Sequence, residues 1–450
     1  MKRIIKKFLA MVCCVTVVFA MFTGCGAQKE GSTTSTTDTA VSESKESDDS
    51  KKDVTLTLLI DNQTPLDGLQ GVIDAFEAKT GIKTEIELRP GGDEGENLIK
   101  TRLATGEMAD LIYFNSGSLL NTLNPEQYFV DLTNEPYVST FDEAYKVTVT
   151  VNGKVFGAPA GSSFAGAWLY NKKVYDELGL EVPKTWEQLL ENCEKIKAAG
   201  KIPVAASYKD DWTAQLVLLG DNYNVLVEEP DFPEKFTANQ AKFATTPAAL
   251  RSFEKQQELF IKGYVNEDLN TTTYDMALKM LSEGTAVHYP IITNALPNID
   301  KNYPDKINDI GVFGQPGNDP NNHGITIWLP NSIYIYKDGQ HIEEAKQWVE
   351  FLVSPEGVAA MAAKEKAVGP YVIKGADLPE DAYPAVKEMM TYFDEGKTAP
   401  ALEFLTPLKG PNSPQICVQN GNAMTTPAES AAQYDKDVEK QAKQLGMEGW

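Results

Sequence analysis

Residues 54–114 read VTLTLLIDNQTPLDGLQGVIDAFEAKTGIKTEIELRPGGDEGENLIKTRLATGEMADLIYF, and the hydrophobic period alternates along them. VTLTLLI (54–60) has the apolar run of a strand, and DNQTPLDG breaks it with turn residues. Leu69, Val72, Ile73 and Phe76 then recur at helical spacing, predicting a helix from Leu69 to Lys79 that Gly81 stops. IKTEIEL (82–88) alternates as a strand does. A second helix is expected from Asn97 to Thr105, before Gly106, and ADLIYF (109–114) has the short apolar run of a buried strand. This β-α-β-α-β order predicts an α/β domain with helices on both faces of its sheet. In such sheets ligands sit beyond the carboxyl ends of the strands. That rule directs attention to Asn62 and Gln63 after the first strand and to Phe114, Asn115 and Ser116 after the third. Glu87 and Arg89, at the end of the second strand, are within reach of a polar ligand, but solvent is the favoured reading for both.

Gly and Pro punctuate the next stretch, and Gly161-Ser162-Ser163 has the character of a crossing between domains. Thr185, with Gln188 three residues on, forms a capping box ahead of a helix beginning near Trp186. Helix-rich sequence runs to about 283. Strand-like segments follow near 308–313 and 324–336, then a helix at 342–353 and a helical end. No internal repeat is visible.

The chain has 450 residues, enough for two or three domains. Its 41 Lys and Arg stand against 64 Asp and Glu, a balance that argues against a nucleic-acid partner. Four of the basic residues cluster at the start with no acid among them. Lys2, Arg3, Lys6 and Lys7 precede the uncharged run Phe8–Phe22, which is too short for an ordinary membrane span. The run ends in Phe22-Thr23-Gly24-Cys25, which resembles a bacterial lipobox. The resemblance implies cleavage before Cys25 and a diacylglyceryl group on its sulfur, two acyl chains being enough for stable anchoring. Residues 1–24 then form a lipoprotein signal peptide, and residues 25–52, rich in Ser, Thr, Asp and Lys, form a lipidated Cys and a disordered tether. The mature chain carries 37 basic against 64 acidic residues, or −27.

FEAKTGIK (76–83), LATGEMADLI (103–112), GKVFGAP (153–159), LYNK (169–172), VPKTW (182–186) and AKQWVEFLVSPEG (345–357) together resemble the extracellular solute-binding proteins of ATP-driven sugar importers, the group that includes maltodextrin-binding protein. The resemblance runs through nearly the whole mature chain. It implies a two-lobe α/β fold of the type II periplasmic-binding-protein kind, with a hinge between the lobes and the ligand in the cleft. By this analogy lobe one is 53–160 plus 313–353, and lobe two is 161–312 plus 354–450. It further implies delivery of a carbohydrate to permease subunits, anchoring at the outer face of the cytoplasmic membrane, and a monomer with neither cofactor nor catalysis.

A sugar offers hydroxyls and apolar C–H faces, so its site needs flat aromatic surfaces beside amides and carboxylates. Among the tryptophans, Trp186 and Trp348 fit helix packing, Trp168 reads as core and Trp450 is terminal. Trp212, with Asp210 and Asp211 before it, stands where the family has an aromatic and an acid facing the cleft. Trp328 lies in the segment returning to lobe one. By family position Asn62, Gln63, Phe114, Asn115, Ser116 and Ser163 are further cleft candidates. Relatives commonly carry a GxW-type motif where this chain has SEGTAVHYP (282–290), and His288 or Tyr289 stands in for the missing Trp. The Pro- and Gly-rich stretch 408–421 is expected to border the cleft.

Two other function classes compete. One is the same fold holding a polyamine or a peptide, for which Asp210, Asp211 and Trp212 would supply acids beside an aromatic. The other is a secreted glycoside hydrolase. The chain has no G-x-S-x-G, H-E-x-x-H or Walker motif. Its three scattered histidines disfavour a metal cluster.

Overall fold

The structure is a computed structural model that describes residues 54–450. The expected signal peptide, Cys25 and the expected tether lie outside the described residues. Two mixed sheets organise the chain. The first has the order β2 (Lys83–Arg89), β1 (Thr55–Asp61), β3 (Leu111–Phe114), β12 (Ser332–Ile335), β6 (Gly157–Pro159). β1 is parallel to both β2 and β3, as the β-α-β order requires, and β12 runs antiparallel to β3 and β6. A separate hairpin joins β4 (Thr150–Val151) to β5 (Lys154–Val155). The alternation of β1 sorts its side chains onto two faces. Leu56, Leu58 and Ile60 join one apolar cluster, and Leu59 joins another with Ile112 and Phe114. Helix α1 (Asp67–Thr80) covers the first face through Leu69, Val72, Ile73 and Phe76. It stops where Gly81 turns left-handed at φ 79° and returns its N–H to Glu77. Helix α2 (Gly92–Thr105) starts five residues earlier than the expected Asn97, because Gly92–Glu96 carries no apolar residue to mark it.

The second sheet has the order β13 (Thr398–Pro400), β11 (Ile325–Trp328), β7 (Phe164–Asn171), β9 (Ala286–Ile292), β8 (Ile202–Val204). β10 (Ile310–Gly314) pairs with β7 on the same side as β11, further along the strand. All eight residues of β7 are buried, which fits its Phe, Ala, Trp, Leu and Tyr content and its central place. A third apolar cluster is mainly helical, with Phe243 and Leu408 joining it from loops. Pro247–Ile261, Ser413–Gly421 and Pro427–Gln444 pack through residues such as Phe253, Cys417 and Tyr434. The capping box of Thr185 with Gln188 is present at the helix Trp186–Ala198. No described helix is long and apolar enough to cross a membrane.

The chain crosses between the sheets three times. It passes from β6 to β7 through 160–163, and from β11 to β12 through 329–331. The third passage is 367–381, where Val368 joins the second sheet's core, Val372 and Ile373 the first, and Ala382 the second again. Tyr371 bridges to Ser162, so this passage lies beside the first. The lobe boundaries expected at 313 and 354 therefore shift. β10 and β11 stay with the second sheet, so the return to the first falls at 329–331. Helix Pro355–Ala362 packs on α1 in the first lobe. Apolar strands 310–328 suit either sheet equally, and only their pairing with β7 decides the matter.

Candidate functional site

Between the two sheets lies a cavity of about 180 Å³. At roughly 30 Å³ per water it holds several solvent molecules that a ligand must displace. The strand ends and crossings of both lobes line it. Phe114, Asn115 and Arg89 come from the first lobe. Phe164, Trp212, Tyr274 and Trp328 come from the second, with Asn331 on the crossing between them. This is the region that the carboxyl-end rule selects.

The aromatic polar atoms are already occupied. Trp328 Nε1 donates to Glu403 Oε1, and Glu403 Oε2 accepts from Lys409 Nζ at 2.7 Å. The indole lies on Gly166, where a Cβ would approach Cζ3 to 2.0 Å, so only glycine seats this ring. Trp212 Nε1 donates to Gln63 Oε1 at 2.7 Å, and its ring packs on Tyr274 with centroids 5.6 Å apart. With their N–H groups bound elsewhere, Trp212 and Trp328 offer the cavity apolar ring surface.

Two buried polar atoms of this lining have no partner: Arg89 Nε, a donor from the first lobe, and Gln215 Oε1, an acceptor from the second. Arg89 is only 5% exposed. Its Nη1 donates to Pro90 O at 2.9 Å, its guanidinium lies 5.9 Å from the Phe114 ring centre, and among the described residues no carboxylate pairs with it within 4 Å. Burial lowers its pKa, against the pull of Asp61 and Glu96. Burial likewise raises the carboxyl of Glu96. Unpaired buried groups cost stability, and a hydroxyl, which both donates and accepts, is the kind of group that pairs with either.

Several hydrogen bonds join the lobes directly. Gln63 Nε2 donates to Asp210 Oδ1 at 2.9 Å, and Asn298 Nδ2 donates to Gln63 O at 3.1 Å. Gln415 Nε2 lies between Asp93 Oδ2 at 2.5 Å and Asp211 Oδ2 at 2.9 Å. Burial and the nearby Asp93 raise the Asp211 carboxyl.

Against this geometry the sequence matches the profile of the bacterial extracellular solute-binding protein family over residues 61–359. The chain belongs to that family. The multiple sugar-binding protein of Streptococcus mutans is 25% identical over 296 residues, covering 64% of this chain and 68% of that protein. The melibiose/raffinose/stachyose-binding protein MelE of Bacillus subtilis is 21% identical over 370 residues, covering 77% and 78%. Among solved structures, the solute-binding protein RafE in complex with raffinose superposes with a TM-score of 0.70 at 20% identity, over 87% of this chain and 99% of that one. The two-lobe fold expected from the sequence is thus the fold of a solute-binding protein.

In this solute-binding protein the residues picked from sequence divide into three groups. Trp212, Trp328, Gln63, Phe114 and Asn115 line the cavity. Asp210 and Asp211 are not part of its lining: Asp210 accepts from Gln63 of the first lobe, and Asp211 accepts from Gln415 of its own lobe, whose amide also reaches Asp93 of the first. The remainder serve the scaffold. Asn62 is exposed. Ser116 Oγ donates to Pro330 O, holding the second crossing to the end of β3, and Ser163 Oγ donates to Pro370 O, tying the first crossing to the third. His288 and Tyr289 do not replace a cleft tryptophan. His288 is fully buried between Pro203 O at Nδ1 and Tyr175 Oη at Nε2, and Tyr289 Oη bonds Ser207 Oγ at 2.6 Å. The physical reason is their place inside β9, whose flanks β7 and β8 cover both residues.

Sequence reasoning missed Tyr274, Gln215 and Glu403, and for Arg89 it favoured solvent over contact with a polar ligand. The expectation that 408–421 borders the cleft agrees with Lys409, Pro414 and Gln415. Tyr274 opens a helix after Thr273, a cap residue whose side chain accepts from Met276 N, and that cap was a legible signal. Cys193 and Cys417 are buried free thiols. Among the described residues no group of three or more His, Cys, Asp and Glu side chains is placed to hold a metal.

Proposed function

We propose that this protein captures a carbohydrate in the cleft between its lobes and delivers it to the permease of an ATP-driven importer. The observation that carries the reading is the pairing of tryptophan faces with an unpartnered donor, Arg89 Nε, and an unpartnered acceptor, Gln215 Oε1, from opposite lobes. A sugar ring presents C–H faces to the one and hydroxyls to the other. A polyamine is disfavoured by the buried guanidinium, which repels a cationic ligand. The names of the sugar-binding relatives support the same class. The chain is a binder without catalysis, and it is exported and anchored through a lipid on Cys25.

Calorimetry and thermal shift with galactose, raffinose, stachyose, chitin oligosaccharides, spermidine and a tripeptide test the ligand class. At a ligand concentration of 100 Kd, binding adds about 2.7 kcal/mol to stability, so a matching saccharide is expected to raise Tm by a readily measured amount. A rise with spermidine or the tripeptide and with no saccharide would reject the sugar reading. Release of product from a bound saccharide would reject the absence of catalysis. Metabolic labelling with palmitate that persists in Cys25→Ser would reject the anchor.

A further inference from the structure

We propose that Gln63 is a latch between the lobes, and that together with Gln415 it sets how often the ligand-free cleft is closed. Gln63 stands on a preformed arm. Asp61 Oδ1 accepts the N–H groups of Gln63 and Thr64 at 3.0 and 2.9 Å, and Asp61 Oδ2 accepts Thr64 Oγ1 at 2.6 Å. These bonds fold the chain after β1 into an Asx turn without help from the other lobe. The receiving side is preformed as well. Asp210 Oδ2 accepts the N–H of Tyr274 at 2.7 Å, and Tyr274 supports the ring of Trp212.

Both ends of the Gln63 amide are then used across the cleft, Nε2 on Asp210 and Oε1 on Trp212. Gln415 repeats the arrangement with the polarity reversed, its amide coming from the second lobe to Asp93 at the start of α2. Glycines clear the approach. A Cβ on Gly91 would stand 2.4 Å from Gln63 Oε1, and one on Gly92 would stand 2.8 Å from Asp211 Oδ1. Closing the lobes therefore forms direct hydrogen bonds between preformed partners, and the ligand takes no part in them.

A device of this kind acts on every ligand alike. The apparent Kd is the intrinsic one divided by the fraction of molecules in the competent state. Losing the latch weakens all ligands by one common factor, whereas losing a ligand contact changes their ranking. Asp210, Trp212 and Gln63 thus hold the lobes by their polar atoms, which leaves the Trp212 ring face and the Gln63 stem to border the cavity.

The test is Gln63→Glu, alone and with Asp210→Asn. The single change sets a carboxylate against Asp210 and removes the donor. X-ray scattering of the ligand-free protein is expected to give a larger radius of gyration. The affinity for each saccharide found to bind is expected to fall on the order of tenfold, by the same factor for all. In the double variant the amide introduced at 210 donates to the carboxylate introduced at 63, and Trp212 Nε1 still has its acceptor, so both readouts are expected to return towards wild type. Gln63→Ala, which only deletes the amide, is expected to shift both readouts in the direction of Gln63→Glu. Circular dichroism checks that each variant is folded. Unchanged scattering in Gln63→Glu, a loss that differs several-fold between saccharides, or failure of the second change to restore the first overturns the latch. The affinity arm rests on the carbohydrate reading and the scattering arm does not, so a screen in which no saccharide binds rejects that reading and leaves the latch decided by scattering.

Discussion

Arg89 ends β2 with its guanidinium near Phe114 and its Nε–H unpartnered, while its neighbour Leu88 is 57% exposed. Strand alternation put the apolar residue inward and the charge outward. The inversion occurs because the end of this edge strand faces the cleft rather than a helix, and hydropathy carries no mark of that change of surroundings. A charge buried without a partner costs several kcal/mol in the empty protein. Arg89→Met is therefore expected to raise the Tm of the ligand-free protein while weakening saccharide binding by about 1.5–3 kcal/mol. Melting curves and calorimetry on the same sample measure both. A fall in both Tm and affinity would mean that Arg89 serves the fold through contacts other than its vacant donor. Trp212 and Trp328 were legible as cleft residues because a tryptophan beside acids or at a strand end is conspicuous. Their hydrogen-bond partners Gln63 and Glu403 lie far away in sequence, so nothing local showed that the indole N–H groups were taken.

The elements were more legible than their surroundings. β1, β2 and β3 were evident from periodicity, as was the helix capped by Thr185, because each signal lies within a few residues. β9 shows the limit. Its strand character was clear, but the burial of His288 depends on β7 and β8 beside it. Pro203 O can only accept, so His288 carries its proton on Nδ1 and accepts from Tyr175 at Nε2. Burial lowers its pKa from 6.5 to about 4. Above pH 6.5 the ring is neutral folded or unfolded. As pH falls from 6.5 towards 4 only the unfolded chain gains the proton, so stability is lost, by about 3 kcal/mol in all. Urea unfolding of His288→Gln against wild type is expected to show a shallower decline over that window. Parallel declines would mean that the ring protonates in the folded state. A second test concerns the helix Pro247–Ile261. Its Lys255 Nζ contacts Asp221 Oδ1 at 2.6 Å with both side chains almost fully buried, and Asp221 also accepts from Ser252 and Asn224. Asp221→Ala leaves the ammonium buried and unpaired, and it is expected to cost about 3–5 kcal/mol. A loss under 1 kcal/mol in denaturant titration would mean that Lys255 escapes to water.

At the scale of the molecule, the two-lobe plan was legible and its boundaries were not, because residues 310–328 and 354–376 have the composition of either core and join one lobe only through pairing partners remote in sequence. The three crossings gather round a small cavity lined by Gly161, Ser162, Pro330, Asn331, Val368 and Glu365. Glu365 Oε2 accepts the N–H of Gly68 at 3.2 Å, which favours its ionised form, and Lys301 acts in the same direction. Burial outweighs both, with Asp67 adding to it, and the pKa rises from 4.5 to about 7. The sign is opposite to that of His288. The folded protein holds this proton more tightly than the unfolded chain, so the contribution is complete below pH 4.5 and is lost as pH rises to about 7. Partial solvent access at the site trims the total to about 2 kcal/mol. In wild type the two slopes oppose each other between about pH 4.5 and 6.5, the Glu365 loss on raising pH offsetting the His288 loss on lowering it. Stability is expected to be flatter across that interval than either group alone allows. Glu365→Gln removes one of the two. The variant is expected to match wild type near pH 4, to exceed it by a margin that grows up to about pH 7, and then to run parallel. Unfolding free energies at pH 4, 5.5, 7 and 8 measure that margin directly. A margin independent of pH would mean that Glu365 titrates in the folded protein as it does in the unfolded chain.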